Sequence, residues 1–534
     1  MRIILFVLMY AKKCLPSIIR LAFSCIIIYI ASIIVPYTTG KYIDSLTNVN
    51  DYRTIWFCVG ILAIIWTIQL LFSYIKNMTF TKTSSRISYY IEADIIEHVK
   101  RLPLSFFIDN DGAYIGHRII SDSLTVTQFV LLSVVNLVTD ILSFIVSSVA
   151  IIVISPYIFI IIVATLPLYV VVYLKFRKQI YELGYEFREH ENRFFSNVSR
   201  QLSSIKPVKQ HVYYNRLHDE MRTAYDKLYS ATVKHARFGY LFRNVEAFLC
   251  YIISLTIFVF SGYGILNGTM SIGDFTMINS YTVMTISALS GILGFGRSYR
   301  NTLVSYNRIK DLYDLEVEHN GVLDPGIIES IQIDNLSFGF NERVLIKNVS
   351  FTMTKGHIYG ILGLNGSGKT TLIDLITGII DGYSGAIRYN GFDLRDIDIY
   401  KLRQEHISIV EQEPSLFFDS IEKIVSEFCN DTAKQQLLNR LGMCSFVTRL
   451  GCMDLKTEAE ACSFSGGEKQ KIALARALAK DADVIILDEP NSAIDSISLE
   501  QLVSILKEQA KNRITILITH DPRLIAICED IIYL

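Results

Sequence analysis

The sequence predicts a helical membrane domain followed by an α/β domain that carries a phosphate-binding loop. Hydrophobic residues make up 51% of the 534 residues and charged residues only 19%, with a mean hydropathy of +0.35, which is too apolar for an ordinary soluble protein. The apolar stretches long enough to span a bilayer lie before about residue 300. After about residue 315, short β-branched runs alternate with polar helical patterns, as in a mostly parallel sheet.

Six apolar stretches, each close to the ~20 residues that a bilayer core requires, predict six transmembrane helices. They occupy residues 17–38, 55–75, 129–154, 157–174, 245–266 and 275–296. The gap 76–125 carries six Lys or Arg residues and the gap 175–243 carries fourteen, whereas the turns at 155–156 and 267–274 carry none. By the positive-inside rule, both long gaps and both termini are cytoplasmic. Because the long gaps are helical in periodicity, the second to fifth helices are expected to continue into the cytosol.

Composition argues against several other classes of protein. Lys and Arg number 51 and Asp and Glu number 52, so the net charge of −1 provides no basic field that would attract nucleic acid. The nine cysteines are scattered without CxxC spacing, which predicts reduced thiols rather than a metal site. The apolar segment 1–11 ends at Lys12 and Lys13 without a small-residue cleavage site, which indicates an interfacial helix rather than a signal peptide.

The segment 363–370, GLNGSGKT, matches the phosphate-binding pattern GxxxxGK[ST]. A predicted strand at 358–362 precedes it and a predicted helix follows it, which is the context that this chemistry requires. Glycines let backbone N–H groups turn onto the phosphates, Lys369 reaches the β- and γ-phosphates, and Thr370 ligates Mg²⁺. The residues of this segment predicted to bind ATP are Gly363, Asn365, Gly366, Ser367, Gly368, Lys369, Thr370 and Thr371.

The segment 484–489, VIILDE, is an apolar strand that ends in two carboxylates, and Asp488 lies 119 residues after Lys369. At the carboxyl end of a strand, Asp488 can hold the Mg²⁺ shell while Glu489 polarises the attacking water.

Between these two motifs, residues 464–468 read FSGGE and resemble the LSGGQ signature of ABC ATPases, and the following KQKIALARAL matches the helix of that family. With this motif in place, nearly the whole chain resembles an exporter-type ABC half-transporter. The resemblance implies a six-helix transmembrane domain over 1–315 and an ATP-binding cassette domain with a helical subdomain over 316–534. The segments 100–109 and 202–211 are similar to the cytoplasmic loops of ABC exporters, which implies coupling helices near 110–120 and 204–216.

Further site residues follow from the resemblance. Gln412 matches the Q-loop glutamine, which links Mg²⁺ to the membrane domain. The segment 492–495, ending in Asp495, matches the D-loop, and His520 matches the switch histidine that contacts the γ-phosphate. Phe340 occupies the position of the aromatic residue that stacks on adenine, where Tyr is commoner.

The signature implies a dimer. Ser465, Gly466 and Gly467 begin a helix whose N-terminus attracts phosphate, and in the family this segment meets the γ-phosphate bound by the other subunit. Because every catalytic position of this chain is filled, a homodimer is the simplest assembly.

Several positions depart from the family pattern. Phe464 and Glu468 replace Leu and Gln in the signature, and an added carboxylate near phosphate is expected to slow turnover. The segment 457–463 resembles the exporter x-loop only loosely. The chain stops soon after His520, so we expect a minimal ATPase domain. Sixteen residues precede the first apolar stretch, so we expect no peptidase domain that would cleave a leader peptide.

Polar residues inside the membrane helices have two interpretations. The sixth apolar stretch carries Asn279, Ser280, Tyr281, Thr282, Thr285, Ser287 and Ser290. These groups either line a substrate cavity or form hydrogen bonds between helices. Asp140 is either a functional intramembrane acid or a residue at the cytoplasmic interface.

The resemblance implies ATP-driven export across the plasma membrane by alternating access, with ATP and Mg²⁺ as cofactors and a second half-transporter, membrane lipids and the cargo as partners. A peptide or modified peptide is the favoured cargo. A lipid flippase and a multidrug exporter remain open, and an ATP-gated regulator of a partner protein is the alternative of another class.

Overall fold

The computed structural model describes residues 2–47, 52–110, 112–340, 343–364, 366–414, 432–442, 465–491 and 494–534. They form two compact units. The first, called the membrane unit below, contains Met1–Glu97 and Gly116–Asp314, and the second, the ATPase unit, contains His98–Ile115 and Leu315–Leu534. Residues 98–115 thus group with the ATPase unit, because the N–H of Glu318 donates to the carbonyl of Arg101 (2.8 Å) and the His98 ring lies 3.2 Å from the carbonyl of Leu315.

The predicted six-helix architecture is confirmed, since the described residues contain six helical runs that are long and apolar enough to cross a membrane. The helices are α1 Arg2–Ala11, α2 Leu15–Thr47, α3 Tyr52–Val99, α4 Leu104–Asp109, α5 Gly112–Gln128, α6 Val134–Ile154, α7 Pro156–Ser203, α8 Ile205–His211, α9 Tyr214–Leu266 and α10 Ile272–Tyr313. A π-helical turn at Phe129–Ser133 joins α5 to α6. With 48 residues, α3 and α7 are each about 70 Å long, more than twice the ~30 Å of a hydrocarbon core.

The helix α2 continues well beyond the apolar stretch predicted to end at residue 38, and its last turns contact the start of α10. The Asp44 carboxylate accepts hydrogen bonds from the Ser271 hydroxyl (3.0 Å) and the Gly273 N–H (2.8 Å). Gly40 lies so close to α10 that a Cβ on it would be 2.8 Å from the carbonyl oxygen of Gly273. Ser271 and Asp274 form a capping box. Backbone N–H groups in the first turn of α10 therefore donate to the side chain of Ser271 and to Asp44 of α2.

The sixth membrane helix, α10, uses several of its polar residues to contact other helices. The Tyr281 hydroxyl donates to the carbonyl of Ile33 (3.0 Å), and the hydroxyls of Ser147 and Thr285 lie 2.7 Å apart. The Ser290 hydroxyl donates to Glu246 of α9 (3.2 Å). Buried polar groups in lipid require such partners, so these residues join α10 to α2, α6 and α9.

The helix α1 packs against α3 and α10 through both apolar and polar contacts. Ile3 and Val7 are 1% and 0% exposed, and the Phe6 ring meets Tyr306 edge to face with centroids 5.5 Å apart. The hydroxyls of Tyr10 and Tyr313 both donate to Asp94, each at 2.6 Å. The predicted N-terminal helix is therefore anchored to the last membrane helix.

The described residues of the ATPase unit form two sheets. Its strands are β1 Ser330–Phe340, β2 Arg343–Thr354, β3 Ile358–Leu362, β4 Ser384–Tyr389, β5 Phe392–Asp393, β6 Ile407–Val410, β7 Val484–Asp488, β8 Ile514–Ile518 and β9 Asp530–Tyr533. An antiparallel sheet has the order β2-β1-β4-β5, and a parallel sheet has the order β6-β7-β8-β3-β9. The strands β7 and β8 are buried along their whole length, as their predominance of Val, Ile and Leu predicts.

Helices cover the parallel sheet. They are α11 Lys369–Ile376, α12 Ile399–Lys401, α13 Thr432–Arg440, α14 Gly466–Ala479, α15 Ser496–Ala510 and α16 Pro522–Ile525. The strands β6, β7, β8 and β3 lie side by side in the parallel sheet and point in the same direction. The segments that follow the carboxyl ends of these strands all meet at one edge of the sheet, which is where parallel α/β sheets bind ligands.

Candidate active site

The phosphate-binding loop connects β3 to α11. Gly366 and Gly368 have φ angles of +80° and +97°, a left-handed conformation that side chains disfavour. Lys369 is only 8% exposed, and its Nζ donates to the carbonyls of Gly363 (2.8 Å) and Leu364 (3.1 Å). The Ser367 Oγ is buried and has no hydrogen-bond partner among the described residues. This orphaned hydroxyl and the folded-back lysine fit a loop that binds anionic oxygens.

Two carboxylates follow β7, and each has a polar partner from another segment. Asp488 is 5% exposed and accepts a hydrogen bond from the Thr370 hydroxyl (3.0 Å). Glu489 accepts one from the Gln412 amide (3.0 Å). Glu489 also has a positive φ of +46°, and its N–H donates to the carbonyl of Ile518 (2.8 Å). The neighbouring strand β8 therefore supports the unusual backbone conformation that directs this side chain.

Negative charge is concentrated at this edge of the sheet. Burial raises the pKa of Asp488, and the nearby Glu489 raises it further, while the Thr370 hydrogen bond and Lys369 act in the opposite direction. Burial, with Glu411 and Asp488, raises the pKa of Asp374 to about 6. Carboxylates that raise each other's pKa bind a cation favourably, and oxygen ligands such as Thr370 and Asp488 suit Mg²⁺. The residues present thus fit a magnesium ion.

Residues of the phosphate-binding loop, Gln412 and the two carboxylates line a cavity of ≈ 520 Å³. Its lining residues are Leu345, Gly366, Gly368, Lys369, Thr370, Thr371, Gln412, Asp488 and Glu489. The structure therefore brings together residues from three separate motifs of the sequence, 363–371, 412 and 488–489.

The remaining predicted site residues lie at the starts of helices or beyond strands. His520 is exposed and lies two residues after the end of β8. Asp495 caps α15 by accepting from the Ser498 N–H (2.9 Å), and it pairs with Lys471 at 2.7 Å, which holds the pKa of this carboxyl well below its usual range. Ser465 caps α14, which begins with Gly466 and Gly467.

Several predicted features fall outside the described residues. They are Asn365 of the loop, Phe464 of the signature, Ser492 of the D-loop and the segment 457–463. Phe340 ends β1, and its side chain also lies outside the described part of the chain.

The sequence reading missed two residues near the site. Asp374 lies one helical turn after Thr370, so the helix period alone places both on one face. The Gln470 side chain is 2% exposed and lies 3.4 Å from the carbonyl oxygen of Glu489, so it connects α14 to the carboxylate segment. The sequence feature that could have identified Gln470 is its position as a polar residue on the otherwise apolar face of the predicted helix.

Comparisons with known proteins agree with this geometry. The family model described as the ABC transporter transmembrane region matches residues 18–289, and the model described as ABC transporter matches residues 346–492. An ATP-dependent lipid A-core flippase of Syntrophus aciditrophicus (strain SB) is 25% identical over 458 residues, which cover 84% of this chain and 76% of that protein. The Lactococcin-G-processing and transport ATP-binding protein LagD of Lactococcus lactis subsp. lactis is 23% identical over 484 residues, or 89% and 68% of the two chains.

One solved structure shares the fold over almost its full length. The structure of a bacterial Atm1-family ABC exporter with ATP bound superposes with a TM-score of 0.83 at 20% sequence identity. The match covers 98% of this chain and 93% of that one.

Proposed function

Because the chain belongs to the ABC transporter family, as an exporter-type half-transporter that binds ATP and couples its hydrolysis to transport, we propose that it exports a cargo across the plasma membrane by alternating access. In this proposal two identical chains form the working unit. The ATPase domains and both termini are cytoplasmic, as the basic gaps between the membrane helices favour.

The observation that carries the proposal is the meeting of Thr370, Gln412, Asp488 and Glu489 beside the phosphate-binding loop. Thr370 and Asp488 would hold Mg²⁺, with Gln412 at its edge. When bound, Mg²⁺ supplies positive charge that neutralises phosphate oxygens. Lys369 would exchange its contacts with its own loop for the β- and γ-phosphates.

Glu489 is the proposed general base. Its carboxylate lines the cavity and accepts a hydrogen bond from Gln412, and it would accept a proton from the water that attacks the γ-phosphorus. His520 would contact the γ-phosphate, and Phe340 would stack on adenine. Ser465, Gly466 and Gly467 would meet the phosphate bound by the second chain, with Asp495 at the same interface.

A peptide or modified peptide is the proposed cargo. A cavity of ≈ 730 Å³ lies between α9 and α10 and is lined by Tyr240, Arg243, Asn244, Glu246, Ala247, Cys250, Ile286, Ser287 and Ser290. It offers charges of both signs together with hydroxyl and amide groups, which suit the polar backbone and charged ends of a peptide. The lactococcin-transporting relative supports the same class of cargo.

A lipid is the second candidate. A smaller cavity of ≈ 380 Å³ is lined by Phe144, Ile145, Ser148, Val149, Ile151, Phe159, Ile162, Val163 and Thr285. This apolar lining suits an acyl chain, and one relative is named as a lipid A-core flippase.

The test is ATP hydrolysis by the purified full chain in lipid nanodiscs, with and without added peptides, lipids and drugs. Glu489→Gln should lower turnover by roughly 10²–10⁴-fold while ATP binding persists, because the amide cannot accept the proton. Stimulation of the wild type by peptides alone would support the peptide proposal, and stimulation by lipids alone would support the second candidate. Equal hydrolysis by both proteins would contradict the role of Glu489.

A further inference from the structure

One arginine binds the carbonyls at the end of the phosphate-binding helix. This helix, α11, begins at Lys369 in the phosphate-binding loop and ends at Ile376. The Arg403 guanidinium donates from Nε to the carbonyl of Thr377 (2.9 Å) and from Nη2 to the carbonyl of Gly378. Carbonyls at the end of a helix carry partial negative charge and have no partners inside the helix, so they bind a fixed cation favourably.

The same guanidinium also holds the Glu318 carboxylate. Nη1 and Nη2 both donate to Glu318 Oε2, each at 3.1 Å, and the side chains of Arg403 and Glu318 are only 25% and 17% exposed. Arginine can bind on two sides in this way because its N–H groups form a rigid planar fork, which the compact ammonium of lysine lacks. Arg403 therefore fixes the position of residue 318 relative to the end of α11.

Glu318 uses its backbone to contact the chain that leaves the second membrane helix. It lies five residues after the end of α10, and its N–H donates to the carbonyl of Arg101 (2.8 Å). Arg101 lies two residues after the end of α3, in the segment 100–109 that resembles a cytoplasmic loop of ABC exporters. The chain just beyond two membrane helices is thus hydrogen-bonded, through one residue, to the arginine that binds the end of α11.

A second ion pair joins the same two stretches of chain by a different route. Residues 319–324 form hydrogen bonds with residues 395–399, and Lys401 pairs with Asp324. Both side chains of this pair are more exposed than those of Arg403 and Glu318. Among the described residues, they form no hydrogen bond to α11 or to residues 98–103. This pair therefore provides a comparison for an attachment that does not reach the phosphate-binding helix.

We propose that Arg403 is a positioning residue that couples the phosphate-binding helix to the ends of α3 and α10. A movement of α11 on ATP binding passes through the guanidinium to Glu318, and from residue 318 to both membrane helices. Arg403 lies at the opposite end of α11 from the phosphate-binding loop, so it acts through this helix and not on ATP itself. The inference rests on the proposed alternating access, in which ATP binding changes the membrane helices.

Two substitutions interrupt this connection at different atoms. Arg403→Lys keeps the positive charge but cannot bridge the Glu318 carboxylate and the two carbonyls at once. Glu318→Gln keeps the shape of the side chain and the backbone hydrogen bond to Arg101, but it removes the charge that Arg403 holds. Asp324→Asn is the matched control, because it weakens the ion pair with Lys401 between the same two stretches of chain.

The experiment measures hydrogen exchange of the full chain in lipid nanodiscs, with and without saturating Mg-ATP. Glu489→Gln is present in every protein so that ATP is not consumed. Peptides over 363–376 report ATP binding, and peptides over 98–109 and 305–318 report the ends of α3 and α10. A merely structural role of Arg403 would alter the exchange rates without ATP and leave the ATP-dependent change as it is, so the two quantities are compared separately.

We expect ATP to change the exchange rates at both helix ends of the parent protein by at least about 5-fold, the lower end of typical coupling between two sites. In Arg403→Lys and Glu318→Gln, this change should fall below about 2-fold, because the two sites lose most of their coupling. Asp324→Asn should keep the change of the parent. ATP should protect the phosphate-binding loop in all four proteins.

Each other result contradicts a definite part of the argument. If either variant of Arg403 or Glu318 keeps the ATP-dependent change, or if Asp324→Asn loses it equally, the coupling role is overturned. Loss of ATP protection over 363–376 in both variants would show that the pair supports the ATP site itself, which also overturns it. If Arg403→Lys alone loses that protection, Glu318→Gln decides. If ATP protects 363–376 in the parent but changes neither helix end, the proposed alternating access is wrong, and the coupling role is wrong with it.

Discussion

The membrane unit and the ATPase unit use their polar residues in opposite ways. In the ATPase unit, Lys369, Thr370, Asp488 and Glu489 come from two short motifs and meet because the parallel strands β3 and β7 of one sheet end at the same edge. In the membrane unit, polar contacts join residues far apart in the chain, as between Asp44 and Gly273 or between Ser147 and Thr285. The polar groups named in the ATPase unit line one cavity, whereas those named in the membrane unit bind helices to one another.

The largest expected effect tests whether the polar residues of the ATPase unit bind a ligand. Lys369→Ala should weaken ATP binding by at least about 10²-fold, because charged hydrogen bonds to phosphate are worth roughly 1.5–3 kcal/mol each. Binding of a fluorescent ATP analogue to the full chain measures this loss. Lys480→Ala is the control, since the Lys480 Nζ also donates to backbone carbonyls of the same unit, those of Arg403 (3.0 Å) and Ile407 (2.5 Å). An equal loss of ATP affinity in both variants would show that Lys369 acts only through folding.

A smaller effect tests whether the contact between α2 and α10 stabilises the membrane unit. Gly273→Ala should destabilise the membrane unit by about 1–3 kcal/mol, because the new Cβ would collide with the Gly40 carbonyl and the Asp44 carboxylate. Both tryptophans of the protein, Trp56 and Trp66, lie in α3, so thermal unfolding followed by tryptophan fluorescence reports this unit. Gly262→Ala in α9 is the control, since its Cβ would meet no described atom within 4 Å. Similar shifts for both variants would contradict the close approach of α2 and α10.

The smallest effect concerns Asp374, whose folded pKa of about 6 lies above the ~3.9 of an ordinary Asp. The ionised carboxylate therefore destabilises the fold, fully above pH ~6 and progressively less as the pH falls toward ~4. Asp374→Asn should stabilise the ATPase unit by about 1 kcal/mol at pH 7.5, a value reduced for partial solvent screening, and by almost nothing near pH 4. Calorimetry of the full chain measures the difference. The exposed Asp530 provides the control variant Asp530→Asn, and a gain that does not depend on pH would contradict the assigned cause.

The difference between the ATPase unit and the membrane unit also explains how much of the structure the sequence could predict. The loop 363–370 and the strand 484–488 were recognisable because phosphate chemistry demands fixed residues at fixed spacing. The capping box that Ser465 and Glu468 form at the start of α14 is equally readable as S-x-x-E, whereas the family pattern marks Glu468 only as a departure. The Asp44 contact was not readable, because nothing local to residue 44 indicates a partner 229 positions away. The end of α2 at Thr47 was missed for the same reason.

The anchoring of α1 has a consequence for how the protein is made. The partners that bury Phe6 and Tyr10 include Tyr306 and Tyr313, and the latter lies 303 residues after Tyr10. At ribosomal rates of about 5–20 residues per second, α1 leaves the ribosome roughly 15–60 s before the end of α10 does. During that interval α1 can contact α3, whose Asp94 accepts the Tyr10 hydroxyl. The side of α1 that meets Tyr306 and Tyr313 must rest on lipid or on a chaperone until α10 arrives. Assembly of the membrane unit is thus completed by joining its first helix to its last.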